Sequence, residues 1–141
     1  MSQDVVTKFK DEADYPEVSL TEKIIKSAFE VFNELGYGLP EKVYQRALAE
    51  VLQEKGLSFS REKYGLIKFR NVRIGKYSLD FLVENKVAVE LKVRNDIYET
   101  DVKQLLTYIK SENLQVGLIL AFTKDGVKIK RLINSDLRGS A

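Results

Sequence analysis

With 141 residues, 44% of them hydrophobic and 31% charged, the chain is the size of one domain with enough apolar material for a core. It contains no cysteine and no histidine, which excludes disulfides, thiolate or imidazole metal sites, a cysteine nucleophile and Ser-His-Asp chemistry. No apolar run approaches the roughly 18 residues of a membrane span, and the first residues lack the basic-then-apolar layout of a signal peptide, so a cytoplasmic protein with no membrane partner is expected.

Residues 1–18 are polar and aperiodic and read as an N-terminal arm, a candidate for disorder. Ser19-Leu20-Thr21-Glu22 matches a capping box, and Ile24, Ala28, Val31, Phe32 and Leu35 follow at helical spacing up to Gly36. A second helix is expected from near Pro40 to about Lys55, with Tyr44, Ala47, Leu48, Val51 and Leu52 on its apolar side. Three strands are expected next, near 57–66, 67–74 and 77–83, and then a fourth at 87–93 after a turn at Asn85. Residues 97–111 form an amphipathic helix with Val102, Leu105, Leu106 and Ile109 as its stripe. Two strands at 116–122 and 127–133 flank the turn Lys124-Asp125-Gly126, and residues 134–141 are a polar tail. This order gives one α/β domain over residues 19–133, a sandwich with a central mixed sheet flanked by helices.

The net charge is only +2, but it is unevenly spread: residues 1–60 carry −4 and residues 61–141 carry +6. Arg61, Lys63, Lys68, Arg70, Arg73 and Lys76 fall in one stretch interleaved with Tyr64, Phe69 and Tyr77; Lys124, Lys128, Lys130 and Arg131 form another. Basic residues with aromatics between them suit a nucleic-acid backbone; a strand edge studded with lysines against aggregation gives the same pattern.

The strand at 87–93 carries the most chemistry. Side chains alternate along a strand, so Val87, Val89, Leu91 and Val93 face one way and Glu90 and Lys92 the other. So apolar a strand belongs at the centre of its sheet, where charged groups are rare without a partner or a task. Asp80 on the preceding strand and Glu90 offer oxygen ligands to a hard divalent cation, with Lys92 beside them, the minimum set for metal-assisted phosphodiester hydrolysis. A partly buried Glu90–Lys92 ion pair accounts for the second motif without catalysis. On the second helix Glu41 lies between Leu48 and Leu52, about 20° from each in helical projection, within the apolar arc. It joins the site if that helix covers the face bearing Glu90; otherwise it is a first-turn glutamate stabilising the helix dipole. Gln104 and Tyr108, at i and i+4, form an amide–phenol pair on the flank of their helix and outside its core. Such a pair can position a lysine, a water or a phosphate oxygen, or be an incidental surface pair.

Gly38-Leu39-Pro40-Glu41-Lys42-Val43-Tyr44 resembles the G-x-x-E-x-x-Y signature of the GxxExxY proteins, within the PD-(D/E)XK, or restriction-endonuclease-like, nucleases. Asp80 followed by Glu90-Leu91-Lys92 is similar to that superfamily's core motif, and Gln104 to Tyr108 to the Q-x-x-x-Y motif of its RecB-like branch. The resemblance runs from about Ser19 to Ile133 and implies a restriction-endonuclease-like sandwich with a four-stranded core sheet and the acidic site at its opened end. It implies Mg²⁺ or Mn²⁺ bound by Asp80, Glu90 and the Leu91 carbonyl, with Glu41 as a further ligand. Lys92 would orient or deprotonate the attacking water, and Gln104 and Tyr108 would position Lys92 or the nucleic acid. The implied substrate is DNA, with RNA as the alternative, and a homo-oligomer is compatible with it. Departures from the pattern are Leu79 in place of the proline that names the superfamily motif, Tyr37 where relatives have proline, and Phe32 where they often have histidine. A catalytically silent nucleic-acid-binding or accessory protein on the same fold is the rival reading.

Overall fold

The computed structural model describes residues 16–138. Residues 1–15, most of the expected arm, and 139–141 lie outside the described residues. The elements run α1 (Val18–Leu35), α2 (Glu41–Glu54), β1 (Phe59–Phe69), β2 (Val72–Val83), β3 (Val87–Val93), α3 (Glu99–Ser111), β4 (Val116–Thr123), β5 (Gly126–Ile133) and a short α4 (Ser135–Arg138).

The five strands form one sheet in sequence order, antiparallel except for β3 against β4. That parallel pair needs a crossover, which α3 supplies. The sheet is mixed and central, as expected, with one strand more than the implied core of four. β3 is its middle strand, and Val87 through Leu91 are all buried.

Its two faces are clad separately. Val87, Val89 and Leu91 pack with Ile24, Ala28 and Val31 of α1 and Tyr44, Leu48 and Leu52 of α2. Ala88, Leu79, Ile119 and Leu132 pack with Leu105, Tyr108 and Ile109 of α3. Among the described residues no helix is long and apolar enough to cross a membrane.

Two local expectations are corrected. The Ser19 capping box does not form, because α1 already begins at Val18 and the Thr21 N–H is taken by the Glu17 carbonyl at 2.9 Å. The three strands expected over 57–83 are two long ones. They turn at Arg70 and Asn71, both left-handed (φ 52° and 65°), which is the backbone of a two-residue hairpin loop. Gly65 is an in-strand glycine beneath a ring: a Cβ there would sit 2.7 Å from Tyr77 carbons.

The hairpin outruns the sheet. β1 and β2 pair from Phe59↔Val83 to Phe69↔Val72, whereas β2 and β3 pair only at Phe81↔Val89, Leu82↔Ala88 and Val83↔Val87. Beyond Phe81 and Val89 these neighbouring strands part, and Asp80 and Glu90 are the first residues in the fork.

Candidate active site

The alternation of β2 slips at this fork. Leu79 packs on the α3 side and Phe81 on the α1–α2 side, although two residues apart they should share a face. Opposite the slip, Glu62 of β1 is left-handed (φ 55°), between the pairs Arg61↔Phe81 and Lys63↔Leu79. The ladder bonds missing here are replaced by carboxylates: the Asp80 N–H donates to Glu90 Oε1 at 3.0 Å, and the Leu91 N–H donates to Asp80 Oδ2 at 2.7 Å.

Both carboxyls are starved of water. Burial, with Glu41 adding repulsion, raises Asp80 to about 6 against the pull of the Leu91 N–H, Lys92 and Arg61. Burial and the neighbouring Asp80 charge raise Glu90 to about 8, although the Asp80 N–H and Lys92 act the other way. Two desolvated carboxyls side by side hold their charge poorly, and a cation between them would relieve both.

Lys92 is set as the alternation requires, on the Glu90 side. Its Nζ lies 3.9 Å from Glu90 Oε2 and 3.9 Å from Asp101 Oδ1. Asp101 is a site residue that the sequence reading missed. It is 6% exposed in the first turn of α3, accepts the Tyr98 N–H at 2.8 Å, and is ion-paired to Arg94, whose guanidinium stacks on the Tyr98 ring. The signal available was an acidic residue at the third position of the helix, where it caps the first turn and meets its dipole.

Glu41 reaches the site by an unexpected route. Helix α2 covers the face opposite Glu90, and Glu41, at its first position, is exposed rather than within the apolar arc. The link is Gln45, a second residue that was missed: its Nε2 donates to Glu41 Oε2 and to Asp80 Oδ1, both at 3.2 Å. Gln45 follows Glu41 by four residues, so the two meet on the helix surface. Tyr44 sets this turn in place. Tyr44 is fully buried, donates its hydroxyl to the Gly36 carbonyl at 2.5 Å, and accepts the Leu39 N–H at 3.3 Å. Its ring stacks on Phe122, and Phe32 stacks on the same phenylalanine, so Phe32 is a packing residue here.

Gln104 is exposed, as expected, but Tyr108 is core, 2% exposed, and the flank assignment is corrected. The overhanging hairpin widens the covered side of α3: Tyr77 meets Tyr108 edge-on at 5.5 Å, and burial pushes the Tyr108 phenol up to about 12. Gln104 and Tyr108 line a narrow crevice with Tyr77, Ser78, Leu79, Leu105 and Glu90. They therefore border Glu90, while Lys92 is flanked by Glu90 and Asp101.

Arg61, Lys63, Lys68, Arg70, Arg73 and Lys76 all fall on the β1–β2 hairpin or its turn. Arg61 lies over the Phe81 ring, Arg70 over Phe69 and Lys76 over Tyr64. The second basic stretch is not one charged face: Arg131 is buried and donates to Thr21 Oγ1 at 2.8 Å, and Lys128 is bound to Asn95 and Asp96.

The model of the PD-(D/E)XK nuclease superfamily matches residues 18–132. The chain belongs to this superfamily. The crystal structure of SSO0001 superposes with a TM-score of 0.53 at 21% identity, over 86% of this chain and 61% of that one, a likeness of fold. The chain thus spans less than two thirds of that protein's length. No curated protein shows significant sequence similarity to it. Asp80 and Glu90 face each other across the fork, with Lys92 behind. Among the described residues no three acidic side chains converge into a closed cage. The donors that meet in the fork are the two carboxylates, with Glu41 joined to them through Gln45.

Proposed function

We propose that this member of the PD-(D/E)XK superfamily is a divalent-metal-dependent nuclease that hydrolyses DNA phosphodiester bonds in the cytoplasm. The observation that carries the proposal is the Asp80–Glu90 pair: a half-buried and a buried carboxyl held against each other by backbone hydrogen bonds, beside a lysine. Such a pair destabilises an apo protein and suits a cation site. The donor set fits Mg²⁺ or Mn²⁺, hard ions commonly held by one or two carboxylates with waters completing the shell. Asp80 and Glu90 would be the principal ligands, with the Leu91 carbonyl beside them and Glu41 reaching the ion through water. When bound, the metal supplies Lewis acidity and a more acidic water.

The chain's own groups do the rest. Lys92, flanked by Glu90 and Asp101, offers a proton-bearing ammonium to the water and to charge growing on the phosphoryl oxygens. Gln45 holds Asp80 and Glu41 in a fixed relation. Gln104 and Tyr108 border Glu90 in a shared crevice. The basic hairpin carries the phosphate backbone. The motif set Gly38-x-x-Glu41-x-x-Tyr44 and Gln104-x-x-x-Tyr108 supports the GxxExxY and RecB-like assignment within the superfamily.

The lack of a three-carboxylate cage among the described residues favours a second reading, a catalytically silent nucleic-acid-binding or accessory domain. A nuclease assay with EDTA, Mg²⁺ or Mn²⁺ on linear, circular and branched DNA, and on RNA, separates the two. Metal-dependent cutting lost in Asp80→Ala and Lys92→Ala is the expected result. Binding without cutting by the wild type under every condition establishes the silent domain.

A further inference from the structure

Beside the fork lies a groove of about 330 Å³ lined by Lys42, Gln45, Arg46, Arg61 and Glu62. Lys42, Gln45 and Arg46 stand at i, i+3 and i+4 of α2 and so share one side of that helix. Arg61 comes from β1, the neighbouring wall. We propose that this groove is a phosphate-binding subsite that holds the nucleic-acid phosphate adjacent to the one being cut. The proposal rests on the nuclease reading and names how the substrate strand leaves the fork.

Four observations support it. Three cations from two elements converge on one concavity against a single carboxylate, Glu62, which leaves the lining with a net positive charge. Among the described residues none of the three makes an ion pair; the five pairs present involve other side chains. Arg61 is set in place: its guanidinium lies 5.4 Å above the Phe81 ring centroid, and its Nε is buried with no hydrogen-bond partner. A guanidinium fixed at its root by a ring and held in no ion pair is arranged for an oxyanion, which it can grip with two parallel bonds. Finally, Gln45 lines the groove and donates to Asp80 Oδ1 at 3.2 Å, so the groove starts one side chain from the acidic pair. A phosphate lodged there fixes the position of the scissile group relative to Asp80 and Glu90. The groove accepts an internal diester or a terminal monoester, which share this chemistry.

The test uses the full chain and the double variant Lys42→Ala/Arg46→Ala, whose substituted side chains are exposed and leave the core untouched. Binding of a short fluorescein-labelled oligonucleotide is followed in EDTA across a salt series. The slope of log affinity against log salt should fall by about 1 in the variant. Cutting is then measured on oligonucleotides with one neutral methylphosphonate placed at successive positions around the cleaved bond. The wild type should be slowed at least about tenfold by neutralising one neighbouring position, and the variant should be indifferent to it. Repeating this with 5′-phosphate, 3′-phosphate and hydroxyl ends separates the two sources: an end preference lost in the variant assigns a terminal phosphate, and interference independent of the ends assigns an internal one. An unchanged slope and an unchanged interference profile overturn the subsite and leave the nuclease standing. Absence of cutting by the wild type overturns the nuclease reading, and the salt slope alone then decides whether the groove binds phosphate.

Discussion

Asp80 and Glu90 exchange hydrogen bonds across the point where β2 and β3 separate: the Asp80 N–H donates to Glu90, and the Asp80 carboxylate accepts from Leu91, the residue after Glu90. Asp80 therefore has two roles that mutation can separate. Asparagine keeps an acceptor for the Leu91 N–H and removes the charge. Alanine also orphans that N–H, at a cost of about 1–3 kcal/mol. The expected outcome is that metal-free Asp80→Asn melts no lower than the wild type but does not cut, while Asp80→Ala melts below Asp80→Asn and does not cut either. Full activity in Asp80→Asn would remove Asp80 from the chemistry.

The same pair makes the metal-free protein sensitive to alkali. Both carboxyls titrate higher in the folded chain, at about 6 and about 8, than their ordinary values of 3.8 and 4.5. Between those limits the folded state binds more protons than the unfolded one, so this contribution to stability is complete below about pH 4 and is lost as pH rises through the folded values. Each carboxyl therefore weakens the fold as it is forced to ionise inside the folded chain. Thermal melts in EDTA from pH 5 to 8.5 should show this decline, and Glu90→Gln should flatten it. Mg²⁺ should restore the loss most strongly at high pH, where its ligands are already deprotonated. A flat profile for the wild type would mean that the carboxyls are well solvated.

Lys92 sits 3.9 Å from carboxylate oxygens of both Glu90 and Asp101, and Asp101 also engages Arg94. Lys92→Met should lower kcat by roughly 10²–10⁴-fold, the range for losing a positioned proton donor or acceptor. Asp101→Asn should lower it by roughly 10–100-fold, because Asp101 acts through Lys92. The distinguishing readout is the pH–rate profile: Asp101→Asn should move its alkaline limb, with KM little changed. A purely structural role would lower the melting temperature and leave the profile in place.

What was legible in the sequence was whatever a single strand or helix determines. The central position of β3, the shared side of Glu90 and Lys92, and the helix ending at Gly36 follow from periodicity and one turn residue. What was hidden depends on a second element. Tyr108 reads as a flank residue on an isolated helix and becomes core because a hairpin longer than its sheet lies over it. That hairpin was itself read as three strands, since its turn residue Arg70 adopts the left-handed backbone without being a turn former. Gln45, Asp101, Lys42 and Arg46 are ordinary polar helix residues until Asp80, Lys92 and Arg61 are brought against them.

Tyr44 ties these threads together, because its contacts fix the loop and turn that carry Glu41. It is buried, stacked 4.8 Å from Phe122, and bonded through its hydroxyl to Gly36 and Leu39 on the loop leading into α2. Tyr44→Phe preserves the ring and releases the loop. The exposed Leu39 N–H can turn to water, so the stability loss should be only about 0.5–1.5 kcal/mol. Glu41, Gln45 and the cations Lys42 and Arg46 all follow that loop, so they should lose their register with the fork together. Cutting should therefore fall by more than the small drop in melting temperature accounts for, with both KM and kcat affected. Equal kinetics in Tyr44→Phe and wild type would show that packing of the ring alone positions α2.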